Sequence, residues 1–499
     1  MRKAAHMDPD RTPVIIGCGE AIDRPEASTP PREPAGLMAD ALRAADADAG
    51  GGWLTRLGSL DVVNSVSWRY PDLPGRVAAL LGHRPARLAY GPVGGETPVR
   101  FVHEAAERIR AGSVEVAAVC GGEAQHAVTA ARRVGQMLPW PAEDPGWTAL
   151  RSGDMSHPRA RALGVAQPST VYPFYEVACQ AAWQQTPAEA HNESARLWAG
   201  LSNVASGNPT AWLRQARPAA AIAAVTAGNR MIAWPYPKLM VANPGVNQGA
   251  AVLLTSLARA RAAGVTQDRL VFPGLGAAAA EPPDYLQRDR FDRSVAMEAV
   301  LAACQAHGGP FDLLELYSCF PCVPKMARRV LGLDVRAPVT VTGGLTFFGA
   351  PLNDYMLHAA CAMVRGLRGT AQAGLLYGQG GFVSRHHALV LSGEPGRAGQ
   401  GTVPAQADAD ARRGPVPSFE DARSGNAELE THTVLYDREG AVLHGVAVLR
   451  LPSGARALAR VPATDGTTLA VLTDWHDSPI GRPGRLREEA NGVSAWSAA

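Results

Sequence analysis

Residues 243–256 read Asn-Pro-Gly-Val-Asn-Gln-Gly-Ala-Ala-Val-Leu-Leu-Thr-Ser. The first half of this stretch is rich in turn-forming residues, and the second half is mostly apolar. Such a change indicates a loop that leads into a buried strand. Because strands and amphipathic helices alternate on either side of it, the sequence predicts an α/β fold.

Two similar stretches flank this strand, at 94–122 and at 343–381. Each contains a Gly-Gly pair, a helical pattern and a strand pattern that ends in a second Gly-Gly pair. The repetition predicts two related α/β halves with helices on both sides of mixed sheets.

The composition excludes several classes of protein. Hydrophobic residues make up 46% of the 499, charged residues 19%, and the mean hydropathy is -0.08. A chain of this kind buries a large core, which excludes disorder and a coiled coil. The 48 basic and 46 acidic residues give a formal charge of +2 with no basic block. Binding to nucleic acid or to a membrane surface by bulk charge is therefore not expected.

The sequence predicts a cytoplasmic protein. Its seven cysteines have no framework spacing, which is typical of a reducing compartment. Residues 1–10 contain no apolar stretch of the kind found in signal peptides. Residues 218–227, the longest apolar-looking run, are too short to cross a bilayer.

The alternation of strands and helices stops over residues 125–245, which we interpret as an insertion. It holds six of the ten tryptophans, and these either cover a site or form only the core of the insertion. They are Trp140, Trp147, Trp183, Trp198, Trp212 and Trp234. The predicted units are a first half (1–250) that includes the insertion, a second half (251–394), a Gly/Pro-rich linker (395–427) and a small β domain (428–499) with a strand at 469–472.

Residues 243–256 resemble a thiolase superfamily segment, in which an Asn-x-x-x-Asn/Asp-x-Gly-Ala-Ala run leads into a buried strand. Residues 109–123 look like the helix, strand and Gly-Gly turn of the same family. The resemblance extends over 13–394 and keeps the order of the motifs. It implies a five-layered α-β-α-β-α architecture with two pseudo-repeated halves, and a ligand such as an acyl-CoA.

Three further motifs are similar to those of thiolase-like proteins of type 1. They are Gly-Gly-x-Thr-Pro at 94–98, Ser-Cys-Phe-Pro at 318–321 and Asn-Arg-Met-Ile-x-x-Pro-Tyr-Pro-Lys at 229–238. That family carries an additional C-terminal domain, whose place residues 428–490 match. The resemblance implies an acetyl-CoA acetyltransferase-like protein of lipid metabolism.

The residues that carry thiolase chemistry are replaced in this chain. By resemblance, Gly95 and Tyr377 stand where the family has its two catalytic cysteines. Tyr317 stands where the family has the asparagine that positions a water, and Ala350 where it has the histidine of the oxyanion hole. Without these groups we expect neither thiolysis nor Claisen condensation.

Other residues could supply a different chemistry. Cys319 is a candidate nucleophile, and Tyr317 and Tyr377 are candidate acids, although a free cysteine is more often a small buried apolar residue. The single Cys-x-x-Cys at 319–322 argues against zinc and leaves a redox pair open. His386 and His387 are neighbours on a strand and point to opposite faces, so we expect one exposed and one packed side chain.

Backbone N–H groups of the two Gly-Gly turns are expected to face an anion or a thioester oxygen. The cavity beside them would hold coenzyme A or an acyl-CoA, with no tightly bound cofactor and no metal. Alternatively, Tyr317 and Tyr377 themselves fill it. The predicted ligand-binding residues are Gly94, Gly95, Glu96, Ser318, Gly343, Gly344, Gly349, Gln379, Gly380 and Gly381.

Three functions follow from these observations. The first is an acyl-CoA-binding protein that lacks thiolase chemistry. The second is an acyltransferase or carbon–carbon lyase that uses the substituted residues. The third is a non-catalytic partner of another thiolase-like subunit, or of a second copy of the chain.

Overall fold

A computed structural model describes residues 8–25, 30–146, 155–489 and 493–499. The first half begins with strands and helices in alternation. These are β1 (Pro13–Ile22), α1 (Pro34–Asp48), β2 (Ser59–Val62), α2 (Leu73–Leu81), β3 (Arg87–Tyr90), α3 (Thr97–Ala111) and β4 (Val116–Ala124).

The insertion follows β4 and is mostly helical. It contains α4 (Gln125–Val134), α5 (Pro158–Ala162), α6 (Pro168–Ala182), α7 (Pro187–Gly207), α8 (Ala219–Ala223), β5 (Met231–Ala233) and β6 (Tyr236–Pro237). The chain then returns to the first half through β7 (Asn247–Ser256) and α9 (Leu257–Ala262).

The second half repeats the alternation of strands and helices. Its elements are β8 (Phe272–Ala280), α10 (Val295–Gly308), β9 (Leu313–Glu315), α11 (Cys322–Val330), α12 (Gly344–Phe347), α13 (Tyr355–Leu367), β10 (Ala373–Gly380), β11 (Arg385–Ser392), β12 (Gly401–Pro404) and α14 (Gln406–Arg412).

The two halves share one pattern of strand pairing. In the first sheet, with the order β1-β7-β4-β2-β3, two antiparallel pairs are followed by a parallel pair between β4 and β2. In the second sheet, β8-β11-β10-β9 repeat the same two antiparallel pairs and one parallel pair, and β12 adds an edge beside β8. The predicted pseudo-repeat is therefore present in the sheets themselves.

Helices form three layers around these two sheets. Helix α1 packs on the outer face of the first sheet, and α10 packs on the outer face of the second. Helices α3 and α13 contact both sheets and each other, so they form the central layer. The predicted five-layered α-β-α-β-α order is confirmed.

The sequence of β7 explains why this strand lies at the centre of the first half. Ala250, Val252 and Leu254 face the central core, while Ala251 and Leu253 face the core under α1. Successive side chains on a strand point to opposite faces, so a continuous apolar run suits a sheet that is covered on both sides.

A small β barrel closes the chain. It consists of β13 (Gly425–Tyr436), β14 (Val442–Arg450), β15 (Arg456–Pro462), α15 (Gly466–Leu472), β16 (Pro483–Glu488) and β17 (Ser494–Ala498). The strands pair in the closed order β13-β14-β15-β17-β16-β13, β15 and β17 are parallel, and the helix follows the third strand. This five-stranded arrangement is that of an OB-fold barrel. The predicted β-rich domain is present.

Three boundaries differ from the predictions. The predicted division at 250/251 falls inside β7, so the first half extends through α9. The predicted linker at 395–427 contains β12 and α14, which pack on β8 and α10. Residues 469–472 form the end of α15 rather than a strand, because the Asp465 side chain caps that helix by accepting the Thr468 N–H.

The insertion is joined to the barrel. Strand β5 pairs with β13 and extends the barrel sheet by a short hairpin. Helix α6 packs against β13, and the Thr431 hydroxyl donates to the Phe174 carbonyl. Among the described residues, no helix is long and apolar enough to cross a membrane.

Candidate functional site

The predicted site lies where the N-terminus of α3 meets the end of β10 and the loop before α11. At its centre, the Tyr317 hydroxyl occupies the place of a side chain at position 95. A β-carbon built on Gly95 would lie 1.9 Å from this hydroxyl oxygen and 2.6 Å from the Gln379 carbonyl oxygen. Tyr317 has a φ of 52°, a left-handed conformation that a bulky residue rarely adopts. The structure thus brings Gly95, Tyr317 and Gln379 together, as predicted, but fills the space between them.

Glu96 lies beside two predicted glycines. Its carboxylate is next to Gly94 and Gly380, and a β-carbon on either glycine would clash with it. Burial raises the pKa of Glu96, whereas Arg385, 3.2 Å from the carboxylate, favours its charged form. One carboxylate oxygen of Glu96 is buried and has no hydrogen-bond partner among the residues that the structure describes. No local sequence signal identifies Arg385 as its ion-pair partner.

Cys319 lies in the same cluster but is not activated as a nucleophile. The Gln379 side-chain amide donates to its sulfur at 3.3 Å and to the Tyr172 hydroxyl at 2.6 Å. Burial raises the pKa of the Cys319 thiol to about 12, so the thiol stays protonated at neutral pH.

Tyr377 belongs to a buried hydrogen-bonded chain. Its hydroxyl lies 2.7 Å from Nδ1 of His386, and Nε2 of His386 lies 3.1 Å from the Ser294 hydroxyl and 3.7 Å from Glu281. Glu281 in turn pairs with Arg288, which is fully buried. This chain crosses the second half of the fold and holds the Tyr377 ring in place.

Three of the four N–H groups that the sequence predicts for anion binding, those of Gly94, Gly343 and Gly344, have partners within the protein. The Gly94 N–H donates to the Asn353 side chain at 3.0 Å. The Gly343 and Gly344 N–H groups donate to the hydroxyls of Thr340 and Thr342, at 3.0 and 3.3 Å. An anion that bound to these three N–H groups would therefore have to compete with acceptors that they already have.

The remaining predicted residues lie around this cluster. The Gly381 carbonyl accepts a hydrogen bond from the Tyr172 hydroxyl. The Ser318 hydroxyl is buried next to Gly344 and has no partner within the described part of the chain. Gly349 packs against Gln248, and the Ala350 N–H donates to the Asn243 carbonyl. Gly349 and Ala350 thus support the loop before β7.

The aromatic wall of the site consists of tyrosine and phenylalanine side chains rather than tryptophans. Tyr172 stacks on Phe320 with ring centres 4.4 Å apart, and its other neighbours include Tyr175 and Phe382. The described tryptophans of the insertion are spread over its other contacts: Trp140 packs on Trp68, Trp183 on Arg329, Trp212 on His126 and Trp234 on Trp475, while Trp198 donates to Thr346. Trp147 lies outside the described residues.

The two adjacent histidines point to opposite faces of β11, as predicted, but both are buried. His386 faces Tyr377, and Nε2 of His387 lies 3.0 Å from Nδ1 of His103. The expectation that one would be exposed is wrong, since helix α3 covers the second face of this strand.

Two cavities lie outside this cluster. One, of about 690 Å³, lies between α6, the loop 289–292 and the barrel. The other, of about 540 Å³, lies between α7 and residues 335–340. Cavities of this size can hold a small molecule.

Comparison with known proteins identifies the fold and the barrel. Residues 405–491 match the family model of the thiolase-like protein type 1 additional C-terminal domain. A monomeric SCP2-thiolase-like protein type 1 from Mycobacterium smegmatis is 26% identical, with a TM-score of 0.81 over 98% of this chain and 99% of that one. A comparison with curated protein sequences returned no match.

More distant structures share the fold alone. The Ltp2–ChsH2(DUF35) aldolase is 16% identical with a TM-score of 0.60, covering 77% of this chain and 98% of that one. Human mitochondrial 3-ketoacyl-CoA thiolase is 14% identical with a TM-score of 0.53, covering 77% of this chain and 100% of that one. The matched structures include a monomer and a complex, so the fold occurs in both states.

Proposed function

We propose that this protein, which has the thiolase fold and carries the additional C-terminal domain of thiolase-like proteins of type 1, binds an acyl-CoA without thiolase chemistry. The observation that carries the second half of this proposal is the position of the Tyr317 hydroxyl. This hydroxyl overlaps the position that the β-carbon of a nucleophilic side chain at residue 95 would take, so the space for an acylated side chain is occupied.

The remaining groups of the cluster do not replace that nucleophile. The Cys319 thiol is protonated at neutral pH, and an attack on a thioester needs the thiolate. The predicted oxyanion donors Gly343 and Gly344 are engaged by threonine hydroxyls. A developing negative charge would find no preorganised donor in this turn.

Two observations support an acyl-CoA as the ligand. The fold is that of a group whose members include a 3-ketoacyl-CoA thiolase. The second observation is the cavity of about 540 Å³ between α7 and residues 335–340, whose lining residues include apolar side chains and arginines. Acyl-CoA molecules combine phosphates with a pantetheine arm and an apolar acyl chain, and this lining offers arginines to the phosphates and apolar side chains to the acyl chain.

Thermal shift and activity measurements test the two parts separately. We expect decanoyl-CoA at 100 times its dissociation constant to stabilise the protein by about 2.7 kcal/mol. We expect no thiolysis of acetoacetyl-CoA above the rate without protein. If the protein binds none of CoA, acetyl-CoA and decanoyl-CoA, the proposal that its ligand is an acyl-CoA is refuted. Measurable thiolysis would refute the proposal that it lacks thiolase activity.

A second candidate function is that of a partner subunit, and one surface feature favours it. Val134 and Met137, at the end of α4, are 67% and 90% exposed. Exposed apolar side chains close together are a feature of protein–protein contacts. If a second copy binds there, light scattering will show a dimer that Met137→Asp disperses; a monomer at all concentrations would refute self-association.

A further inference from the structure

The cleft between α7 and residues 335–340 has apolar walls. Leu197 and Leu201 of α7 form one side, and Val335 and Val339 form the other, within a volume of about 540 Å³. Leu197, Leu201 and Val339 are buried and form the apolar part of the inner lining, beside the buried polar side chains of Glu193 and Thr340, while Val335 at the rim is 51% exposed. This lining is suited to an alkyl chain.

The rim of the cleft carries two unpaired positive charges. Arg196 and Arg336 are exposed, and within the described ranges neither guanidinium makes a hydrogen bond or ion pair. Arg329, which lies in the same region, differs from them because its guanidinium is 3.0 Å from the Glu193 carboxylate. An unpaired pair of guanidinium groups at one opening is available to bind an anion.

The nearby carboxylates do not cancel this charge. Glu193 lies between Arg328 and Arg329. Burial opposes its ionisation, but the hydrogen bonds from Arg329 and Gln185 and the positive charges of Lys325 and Arg329 together outweigh burial, and the pKa of Glu193 falls to about 2. Asp334 accepts the Arg336 backbone N–H, and within the described ranges its carboxylate makes no ion pair with the Arg336 guanidinium.

The inner wall of the cleft borders the site described above. A β-carbon on Gly344 would lie 2.3 Å from Leu201 and 2.6 Å from the Ser318 hydroxyl. Leu201 therefore lies between the cleft and Ser318, whose hydroxyl is buried and has no hydrogen-bond partner in the described ranges. A ligand that displaced Leu201 would meet an unsatisfied polar group at the inner end.

The cavity of about 690 Å³ beside the barrel offers no comparable pair of charges. Its Arg290 is paired with Asp292, and its Arg450 is paired with Glu430 at 2.8 Å. An anion entering there would have to replace carboxylates that are already bound.

We infer that the cleft between α7 and residues 335–340 binds an amphipathic anion. The phosphate or carboxylate lies on Arg196 and Arg336, and the alkyl chain lies against Leu197, Leu201 and Val339. The acyl-CoA of the proposed function is one source of this chemistry, so that assignment rests on the proposed function; a free fatty acid is the other source.

Binding of three probes to the full-length protein tests the inference. We would measure the binding of CoA, decanoyl-CoA and decanoate by calorimetry. The proteins are the wild type, the double variant Arg196→Ala/Arg336→Ala, and Val335→Asp, which adds a negative charge at the exposed rim. Arg132→Ala/Arg133→Ala removes two exposed arginines from α4 and is the matched control. We expect decanoyl-CoA to bind the double variant and Val335→Asp at least about tenfold more weakly, and the control unchanged.

Each outcome separates the cleft from the proposed function. If decanoyl-CoA binds and the cleft variants do not weaken its binding, the assignment of the binding site to this cleft is wrong and the proposed function stands. If decanoate binds but no CoA ester does, and the cleft variants abolish that binding, the cleft is supported with a fatty acid as its ligand. If no probe with a decanoyl chain binds the wild type, the inference is overturned.

Discussion

The hydroxyl oxygen of Tyr317 lies 1.9 Å from the point where a β-carbon of residue 95 would stand. The tyrosine and the glycine therefore depend on each other. With Tyr317 present, only glycine fits at position 95. With glycine at position 95, loss of the Tyr317 side chain would leave a cavity between the two residues. Restoring a cysteine at position 95 alone cannot restore the nucleophile, because the side chain has no room.

We predict that Gly95→Ala destabilises the protein by about 2 kcal/mol or more, since the added methyl group overlaps the Tyr317 ring. In a Tyr317→Gly background the same change should cost at least about 1 kcal/mol less. Part of the cost remains because the Gln379 carbonyl oxygen is also close, at 2.6 Å. Urea unfolding of the four proteins in a double-mutant cycle measures this coupling.

Gly200→Ala is the control for this cycle. A β-carbon on Gly200 meets nothing within 4 Å, and the residue lies inside α7. We therefore expect a gain of about 0.5–1 kcal/mol from the higher helix propensity of alanine. Additive effects at positions 95 and 317 would show that the two residues are not coupled.

The sequence predicted the fold well because its signals are local and repeated. A Gly-Gly pair, a helix and a strand occur twice, and they form the corresponding parts of the two halves. The short run at 469–472 misled the prediction, since four apolar residues are compatible with a strand or a helix. Asp465, three residues before Thr468, is the capping signal that identifies the helix.

The sequence predicts which residues meet at the N-terminus of α3, but not how their side chains pack. The replaced positions 95, 317 and 377 were found by resemblance, and the structure places Gly95 and Tyr317 in contact. The left-handed backbone of Tyr317 depends on distant elements and has no local signal. The Thr-x-Thr run before Gly343 is different, because threonine hydroxyls often bind nearby backbone N–H groups and could have been recognised.

We predict that Cys319 reacts very slowly with thiol reagents in the folded protein. With a pKa of about 12, only about one thiol in ten thousand is ionised at pH 8, and the side chain is buried. Incubation with iodoacetamide or acetyl-CoA, followed by peptide mass spectrometry, should leave Cys319 unmodified until urea is added. An acetylated Cys319 peptide from folded protein, absent in Cys319→Ser, would establish a nucleophile and contradict this prediction.

The barrel should lose stability in mild acid because of His432. Burial lowers the pKa of His432 to about 4, while a hydrogen bond with the Leu472 carbonyl opposes the shift. In the unfolded chain this histidine takes up a proton near pH 6.5, whereas in the folded protein it does so only near pH 4. The stability that comes from keeping His432 neutral is therefore complete above pH 6.5 and is lost as the pH falls to 4. The loss should total about 3 kcal/mol.

Thermal unfolding between pH 7 and 4 tests this prediction. His432→Gln keeps an N–H donor but cannot titrate, so its stability should fall less steeply over that range. The exposed His476→Gln is the control and should follow the wild type. Parallel curves for wild type and His432→Gln would assign the acid sensitivity to other groups.

Arg456 should hold the barrel against the rest of the protein. Its fully buried guanidinium donates to the Leu286 and Arg288 carbonyls, at 2.5 and 2.8 Å, and pairs with Glu430. Arg456→Met leaves these acceptors without their donor, which should cost about 3–5 kcal/mol. Arg456→Lys should recover only part of the loss, because an ammonium group cannot reproduce the guanidinium fork.

Limited proteolysis and differential scanning calorimetry would measure this effect. In Arg456→Met we expect faster cleavage between α14 and β13 and a separate low-temperature transition of the barrel, since the barrel would no longer unfold together with the core. Arg487→Met, an exposed change on β16, is the control and should leave both measurements unchanged. A single transition at the wild-type temperature in Arg456→Met would show that the apolar contacts of β13 with α6 hold the barrel without this ion pair.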